Sequence, residues 1–336
     1  MIVFGGIFYY FYDKTNRERW KFLPFLLDIQ GFTGLFLTQW LIFNRLTDFP
    51  LSLRKYGRQL RSAGDEIFKR IQSECKITTV LCLFSSFAVV ITALLHSPFV
   101  GDEATWQYLV HLTQDCSYNI KLLFYLWYEA VFIFGALSLL PLFNISIYNL
   151  AHVKFQYQLL NAIIVKLGNW KVHHINDVRY QERIAKHLKI CIKMQLQIVK
   201  LCHVGEKFAH YVINSMCLFG VNILVYSMFF IALEISPISN FRMYMCVFDW
   251  IVIIHLFCTY GQSLTEETEN IFSNLCKLQW EHWNNQNRRT LVIMLINAGT
   301  PYNLTGEGFI TVNYQLIVKM WRLANAVVFL IGQNMK

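Results

Sequence analysis

Apolar stretches wide enough to cross a bilayer recur along this 336-residue chain, separated by polar linkers. A hydrocarbon core needs about 20 apolar residues in a helix. Residues 22–43, interrupted by Asp28, meet that length, as do the uncharged 77–95 and 122–150, which holds only Glu129. The uncharged 211–233, 243–264 with Asp249, and 309–333 with Lys319 and Arg322 complete the set. Residues 1–12 are apolar but too short to span and lack a basic leader and a small-residue cleavage site, so the expectation is the back half of a first crossing rather than a signal peptide. The pattern predicts an all-α polytopic membrane protein with seven transmembrane helices, the first one truncated.

The linkers give the bundle a direction. Segments 54–76 and 152–207 hold seven and ten Lys/Arg, whereas 96–121 holds only Lys121 and 235–243 only Arg242. Short cytoplasmic loops retain Lys and Arg, so the basic linkers are expected inside, with an inside amino terminus and an outside carboxyl terminus. Lys14, Arg17, Arg19 and Lys21 in the 13–23 linker run against this orientation. Segment 152–207 lacks proline and carries an apolar stripe: Leu159, Ile163 and Leu167, then Ile184, Leu188, Ile192, Leu196 and Val199. Such spacing predicts amphipathic helices that carry the spans into the cytoplasm. Segment 263–300 is expected to form another helix, opened by Thr265-Glu266-Glu267 and closed by Asn297-Ala298-Gly299-Thr300-Pro301. The expected division is 1–150 for helices one to four, 151–210 for cytoplasmic extensions, 211–264 for helices five and six, 265–308 for an anchor helix and turn, and 309–336 for the last helix.

Composition narrows the class. The chain is 55% hydrophobic and 15% charged, against about 25% charged in soluble domains. Its net charge of +9 is explained by orientation and by anionic membrane lipid, without nucleic acid. Nine cysteines occur without a CxxC pair, and His173-His174 has no further ligands nearby, so no metal site is expected. Cys116 and Cys246, near the outer ends of spans, are placed to form a disulfide, although free buried cysteine is common. No nucleophile, base and orienting group stand at catalytic spacing, and no glycine-rich phosphate loop occurs, so neither an enzyme nor a bound cofactor is expected.

Charges within the spans need partners. Glu129 and Asp249 face protein or water by default; cation tuning, pairing with a base such as Lys319, and hydrogen bonding within a pocket stay open. Lys319 and Arg322 each cost about 2.5–3.5 kcal/mol at a helix centre. Either the last helix lies inside a bundle or along a water path, or both side chains snorkel towards headgroups.

The most specific signal lies at 260–333. It runs Tyr260-Gly261-Gln262-Ser263-Leu264-Thr265-Glu266-Glu267, then Trp280, Trp283 and Arg288-Arg289-Thr290-Leu291. Pro301-Tyr302-Asn303-Leu304-Thr305-Gly306-Glu307-Gly308 and Leu316-Ile317-Val318-Lys319 follow. This order resembles the signature of insect odorant receptors: an aromatic-glycine and acidic pair, a Trp, an Arg-rich helix, a proline turn and the last helix. The resemblance is strongest over the final quarter of the chain.

That resemblance implies a tetrameric, non-selective cation channel opened by small volatile molecules, in the plasma membrane of sensory neurons and built with a co-receptor subunit. The 152–207 linker is too short for the insertion that marks the co-receptor, so an odour-tuned subunit is implied. The odorant pocket is implied in the outer half, where the spans offer Phe32, Phe36, Phe87, Val90, Tyr125, Tyr128 and Phe248, aromatic walls with hydroxyl handles; ordinary packing or lipid contact is the competing reading of each. The pore and gate fall on the last helix at Val327, Leu330 and Gln333, with the register of the gate open between Val327 and Leu330. The intersubunit anchor takes in Trp280, Trp283, Arg288 and Arg289, which a solvated helix face explains equally. Gustatory receptors are the nearest alternative: Gln333 matches their ending, but Ala326-Val327 and Asn334 depart from it. A seven-helix G-protein-coupled receptor needs the opposite orientation, and Asp-Arg-Tyr after span three and Asn-Pro-x-x-Tyr in span seven are missing.

Overall fold

A computed structural model describes residues 37, 40, 48–95, 117–170, 176–233, 237–306 and 310–334. Seven helices follow one another there: α1 (Asp48–Tyr56), α2 (Asp65–Leu95), α3 (Tyr118–Gly168), α4 (Val178–Leu233), α5 (Pro237–Cys276), α6 (Asn285–Ala298) and α7 (Tyr314–Asn334). Among the described residues, Asp65–Leu95, Ile133–Gly168 and Tyr244–Cys276 are long and apolar enough to cross a membrane. Val178–Glu206 with Ala209–Val225, taken as one broken span bent by 47°, adds a fourth. The expected crossings 77–95, 122–150, 211–233 and 243–264 fall within α2, α3, α4 and α5. Residues 1–12 and nearly all of 22–43, like Cys116 and His173-His174, lie outside the described residues.

The long helices carry their spans well past the bilayer. With 51 residues in α3 and 56 in α4, and a rise of 1.5 Å per residue, each is about 75–85 Å long against a core of about 30 Å. No break separates residues 150 and 151 in α3, so the span and its extension are one helix. The buried face of the extension agrees with the expected stripe through Leu159, Leu167, Ile184 and Leu188, and then departs from it. Leu196 and Val199 are exposed, while Cys191, Met194, Ile198 and Leu201 are buried. A strict spacing of four drifts about 40° per step round a 3.6-residue helix. By Leu196 the expected stripe has left the core.

The 263–300 helix is likewise divided differently. Thr265-Glu266-Glu267 lies inside α5, which continues to Cys276; a 3-10 turn at Trp280–His282 follows. The helix start is Asn284, whose side chain accepts the Asn287 amide at 2.9 Å. Thr265 and Glu267 look like starting residues because they are polar and clustered, but tertiary partners occupy them, as described below. The far end stops where expected, with Gly299 after Ala298.

A buried polar knot ties α6 to the start of α4. Asn287 Nδ2 donates to the Gln181 carbonyl and to its Oε1, both at 3.0 Å. Gln181 Oε1 also accepts the Asn284 amide at 2.9 Å, and its Nε2 donates to the His282 carbonyl at 2.9 Å. Near the other end of the extensions, Lys154 Nζ meets Glu74 Oε2 at 2.8 Å and lies 5.6 Å over the Tyr260 ring, joining α2, α3 and α5. Gln181→Leu strands several buried groups at about 1–3 kcal/mol each. Thermal unfolding in detergent is expected to fall by several degrees in that variant, and to stay within about a degree in Arg289→Ala, whose side chain is exposed.

Candidate ligand pocket and gating helix

Three places are candidates for function: the half of the bundle around Thr92 and Asp249, a cavity at its basic end, and the joint from which α7 starts. In the first of these, Phe87 on α2 and Phe248 on α5 are 67% and 47% exposed. Val90 and Tyr125 are half-buried, and the Lys121 ammonium lies 5.7 Å from the Tyr125 ring centre. Tyr128 is in α3, and Phe32 and Phe36 are outside the described residues. The neighbours of the two exposed aromatics face inward instead: Ala88 and Val89 on α2, Asp249 and Trp250 on α5. One residue is about 100° of helix rotation. Thr92 Oγ1 donates to Asp249 Oδ2 at 2.6 Å, a buried bond between α2 and α5. Asp249 Oδ1 is buried with no hydrogen-bond partner among the described residues. Asp249 therefore pairs with Thr92 rather than Lys319, which is exposed. Thr92 was legible as a lone hydroxyl near the outer end of an uncharged span, but nothing in the sequence aims it at Asp249.

The second place was not anticipated from sequence. A small cavity of about 40 Å³ lies where α1, α3, α4, α5 and the turn before α7 meet. Its walls include Phe49, Asn149, Leu150, Gly205, Phe257 and Tyr302. Its lining includes Val153, Leu201 and Gly205, within the 152–207 segment that carries ten Lys/Arg. Burial pushes the Tyr302 phenol above its ordinary value, so it stays uncharged.

The third place explains the sequence motif. Two short strands, Thr305–Gly306 and Ile310–Thr311, pair antiparallel and lead into α7. A Cβ at Gly261 would collide with the Val312 carbonyl and side chain, and one at Gly306 would come within 2.7 Å of Asn214 Oδ1 and 2.8 Å of Ile213. Glycine at both positions lets the hairpin seat between α4 and α5. Tyr260 bonds through its hydroxyl to Thr78 on α2. Thr265 Oγ1 donates to the Tyr302 carbonyl at 3.1 Å, and the Tyr302 amide donates to Thr268 Oγ1 at 3.0 Å. Of the acidic pair, Glu266 is exposed, while Glu267 accepts from Gln158 at 3.1 Å and Asn161 at 2.9 Å on α3. The motif is a joint that stitches the turn before α7 to α5, and α5 to α3.

From that joint α7 runs with a narrow buried stripe, Leu316, Met320 and Ala324. Val318, Lys319, Arg322 and Ala326 are exposed in the single chain, Val327 is half-buried, and Leu330 and Gln333 lie in its last turns. Trp283 is 2% exposed and belongs to the core. Trp280 is partly exposed, with the Arg288 guanidinium 5.9 Å from its ring centre; Arg288 also donates to the Trp280 and Glu281 carbonyls. Among the described residues, no three His, Cys, Asp or Glu side chains are grouped to hold a metal ion.

A helical bundle with several apolar spans, a buried polar pair and a final helix that follows a glycine-seated hairpin is the architecture of a polytopic membrane protein. The family described as 7tm Odorant receptor matches residues 45–325. Odorant receptor 46a, isoform B, of Drosophila melanogaster is 23% identical over 191 residues, 53% of this chain and 48% of that protein. The aligned part thus spans about half the length of that relative. The insect olfactory receptor OR5 from Machilis hrabei shares the fold at 13% identity: TM-score 0.69 in its complex with eugenol and 0.64 in the other structure of OR5, each covering 98% of this chain and 84% of that chain. The chain belongs to the insect odorant receptor family. It is a multi-pass membrane receptor and not an enzyme.

The joint yields a direct expectation. Thr268→Val keeps the shape but leaves the Tyr302 amide without its acceptor, costing about 1–3 kcal/mol. Its unfolding temperature should drop by several degrees, whereas Glu266→Gln, on an exposed side chain, should leave it unchanged within about a degree.

Proposed function

We propose that this chain is an odour-tuned subunit of a ligand-gated, non-selective cation channel, working with a co-receptor subunit in a heterotetramer in the plasma membrane of sensory neurons. The observation that carries this reading is the form of α7. One stripe holds it to its own bundle, and Val318, Lys319, Arg322 and Ala326 are left exposed in the single chain. Two basic residues on an exposed helical face are costly against lipid, and far less so against sister helices or a water-filled path. The exposed Val292, Ile293 and Ile296 on α6, beside Trp280, offer an apolar face for the intersubunit anchor.

In this reading, a small volatile ligand sits in the outer half, near Thr92 and Asp249. The OR5 receptor of Machilis hrabei, of the same fold, is described in complex with eugenol, a precedent for a small ligand in this architecture. Ligand binding opens the channel only if the open arrangement binds it more tightly. Asp249 lies on α5, and α5 holds the hairpin that starts α7, so a shift at the pocket has a packed, hydrogen-bonded route to the pore helix.

Co-expression of the complete protein with the co-receptor, followed by recording across a broad odour panel, tests the proposal. Odour-evoked cation current is the expected result; silence despite surface expression contradicts it. In the same cells, Val327→Ala or Leu330→Ala should raise basal current. Unchanged leak in both variants removes the gate from these positions.

A further inference from the structure

Helix α1 lies along the α4 extension, and its two faces differ. Phe49 is buried with its ring against Gly205, and Leu53 is partly buried on the same side. Leu51, Arg54 and Lys55, spaced by three and four, fall on the opposite face and are exposed. Just past the helix end, Arg58 is clamped in place. Its amide donates to Gln156 Oε1 at 3.0 Å, its carbonyl accepts from Gln156 Nε2 at 3.1 Å, and its guanidinium lies 3.1 Å from Met194 Sδ on α4. Beside it Tyr56 gathers two ammoniums: Lys55 from α1 lies 5.2 Å from the ring centre and Lys200 from α4 lies 5.6 Å from it. No Asp or Glu occurs between Asp48 and Asp65 or between Glu182 and Glu206. Among the described residues, ion pairs join Arg70 and Lys154 to Glu74 and His203 to Glu206, and include none of Arg54, Lys55, Arg58 and Lys200. Like charges held together repel, so the cluster lacks an anion of its own. Retention of Lys and Arg in a linker accounts for their number, but not for their gathering from two elements round one ring.

We propose that this surface binds the headgroup of a phosphoinositide, an anionic lipid with several phosphates, in the leaflet on the side of the basic linkers. Its height on the bundle fits. Phe49 meets α4 at Gly205, just before the apolar segment Ala209–Val225 begins. Lys200 lies about 13 Å along the helix from Ala209, and a lysine stem lets the ammonium reach back towards headgroups. Helix α1 runs away from the span, so Leu51 stands nearer the acyl chains than Arg54 and Lys55. Lys55, Lys200 and Arg58 face the phosphates, and basic clusters beside a span recognise such headgroups. A bound lipid offsets the repulsion between the cations and clasps α1 to α4 beneath the 47° bend.

The test needs no channel current, so it stands or fails apart from the proposed channel function. Binding of dioctanoyl phosphatidylinositol bisphosphate to the complete, detergent-purified protein is measured by thermophoresis, beside dioctanoyl phosphatidylserine and free inositol trisphosphate. The bisphosphate lipid should bind about tenfold more tightly than the serine lipid. It should also bind several-fold more tightly than inositol trisphosphate, which has the phosphates without the chains. Lys55→Gln with Lys200→Gln should weaken it about tenfold or more. Lys186→Gln with Lys189→Gln removes equal charge from exposed positions elsewhere on α4, and should change it by less than about twofold. Arg54→Gln takes a charge from the outer face of α1 without touching the ring, so it tests the surface even where the first pair lowers stability; it should weaken binding several-fold. Equal affinity for the bisphosphate lipid and either other probe overturns the proposal. So does equal loss in the two lysine pairs, or unchanged binding in Arg54→Gln.

Discussion

The seating of one hairpin between two helices governs how the last helix of this receptor is placed. Helix α7 packs on α4 and α5 through Leu316, Met320 and Ala324, with Tyr314 stacked on His255 and bonded to Thr259. The point from which it starts is set by the hairpin before it, which reaches α4 and α5 because Gly306 and Gly261 have no side chains to hold it off. Backbone packed this closely tolerates little movement, since interiors are dense and a single added methyl must displace something. The joint fixes the base of α7 to α5, while one face of that helix, through Val318, Lys319, Arg322 and Ala326, is exposed in the single chain.

Polar bonds do much of the tying between helices, and this fits a protein in lipid. Within a bilayer the hydrophobic effect gives little reason for one apolar helix to choose another, and close packing and hydrogen bonds carry more of the association. Between α2 and α5, Thr92 and Asp249 form such a tie. At the basic end, Glu267 gathers Gln158 and Asn161, Lys154 meets Glu74, and Gln181 collects the ends of α6 and the turn before it. The extensions add ordinary apolar burial where water is present, through Leu159, Ile184, Leu188 and Ile198.

Much of the architecture was legible because hydropathy and helix length are coarse quantities. The spans in α2 to α5, the helical extensions and the stop at Gly299 all follow from runs of residues. The family signature at 260–333 was visible as a string, but its meaning was not. Gly261 discloses nothing about Val312 until the chain returns, and Thr265 looks like a helix start until Tyr302 is found against it. A difference of one residue matters on a helix. Phe87 and Phe248 are exposed while Ala88 and Asp249 beside them are buried, and a stripe counted by fours leaves the core by Leu196. The cavity was hidden altogether, because five separate segments contribute to it and only Asn149 stands out chemically.

Hydrogen exchange over residues 300–316 tests the central claim most directly, comparing the natural protein with Gly261→Ala in the same nanodiscs. The account predicts that this segment exchanges as slowly as the core of α5 in the natural protein. In Gly261→Ala it should lose protection together with the start of α7, while α2 keeps its own. Rapid exchange of the hairpin in the natural protein, or equal protection in both, would contradict the claim that this joint positions the last helix.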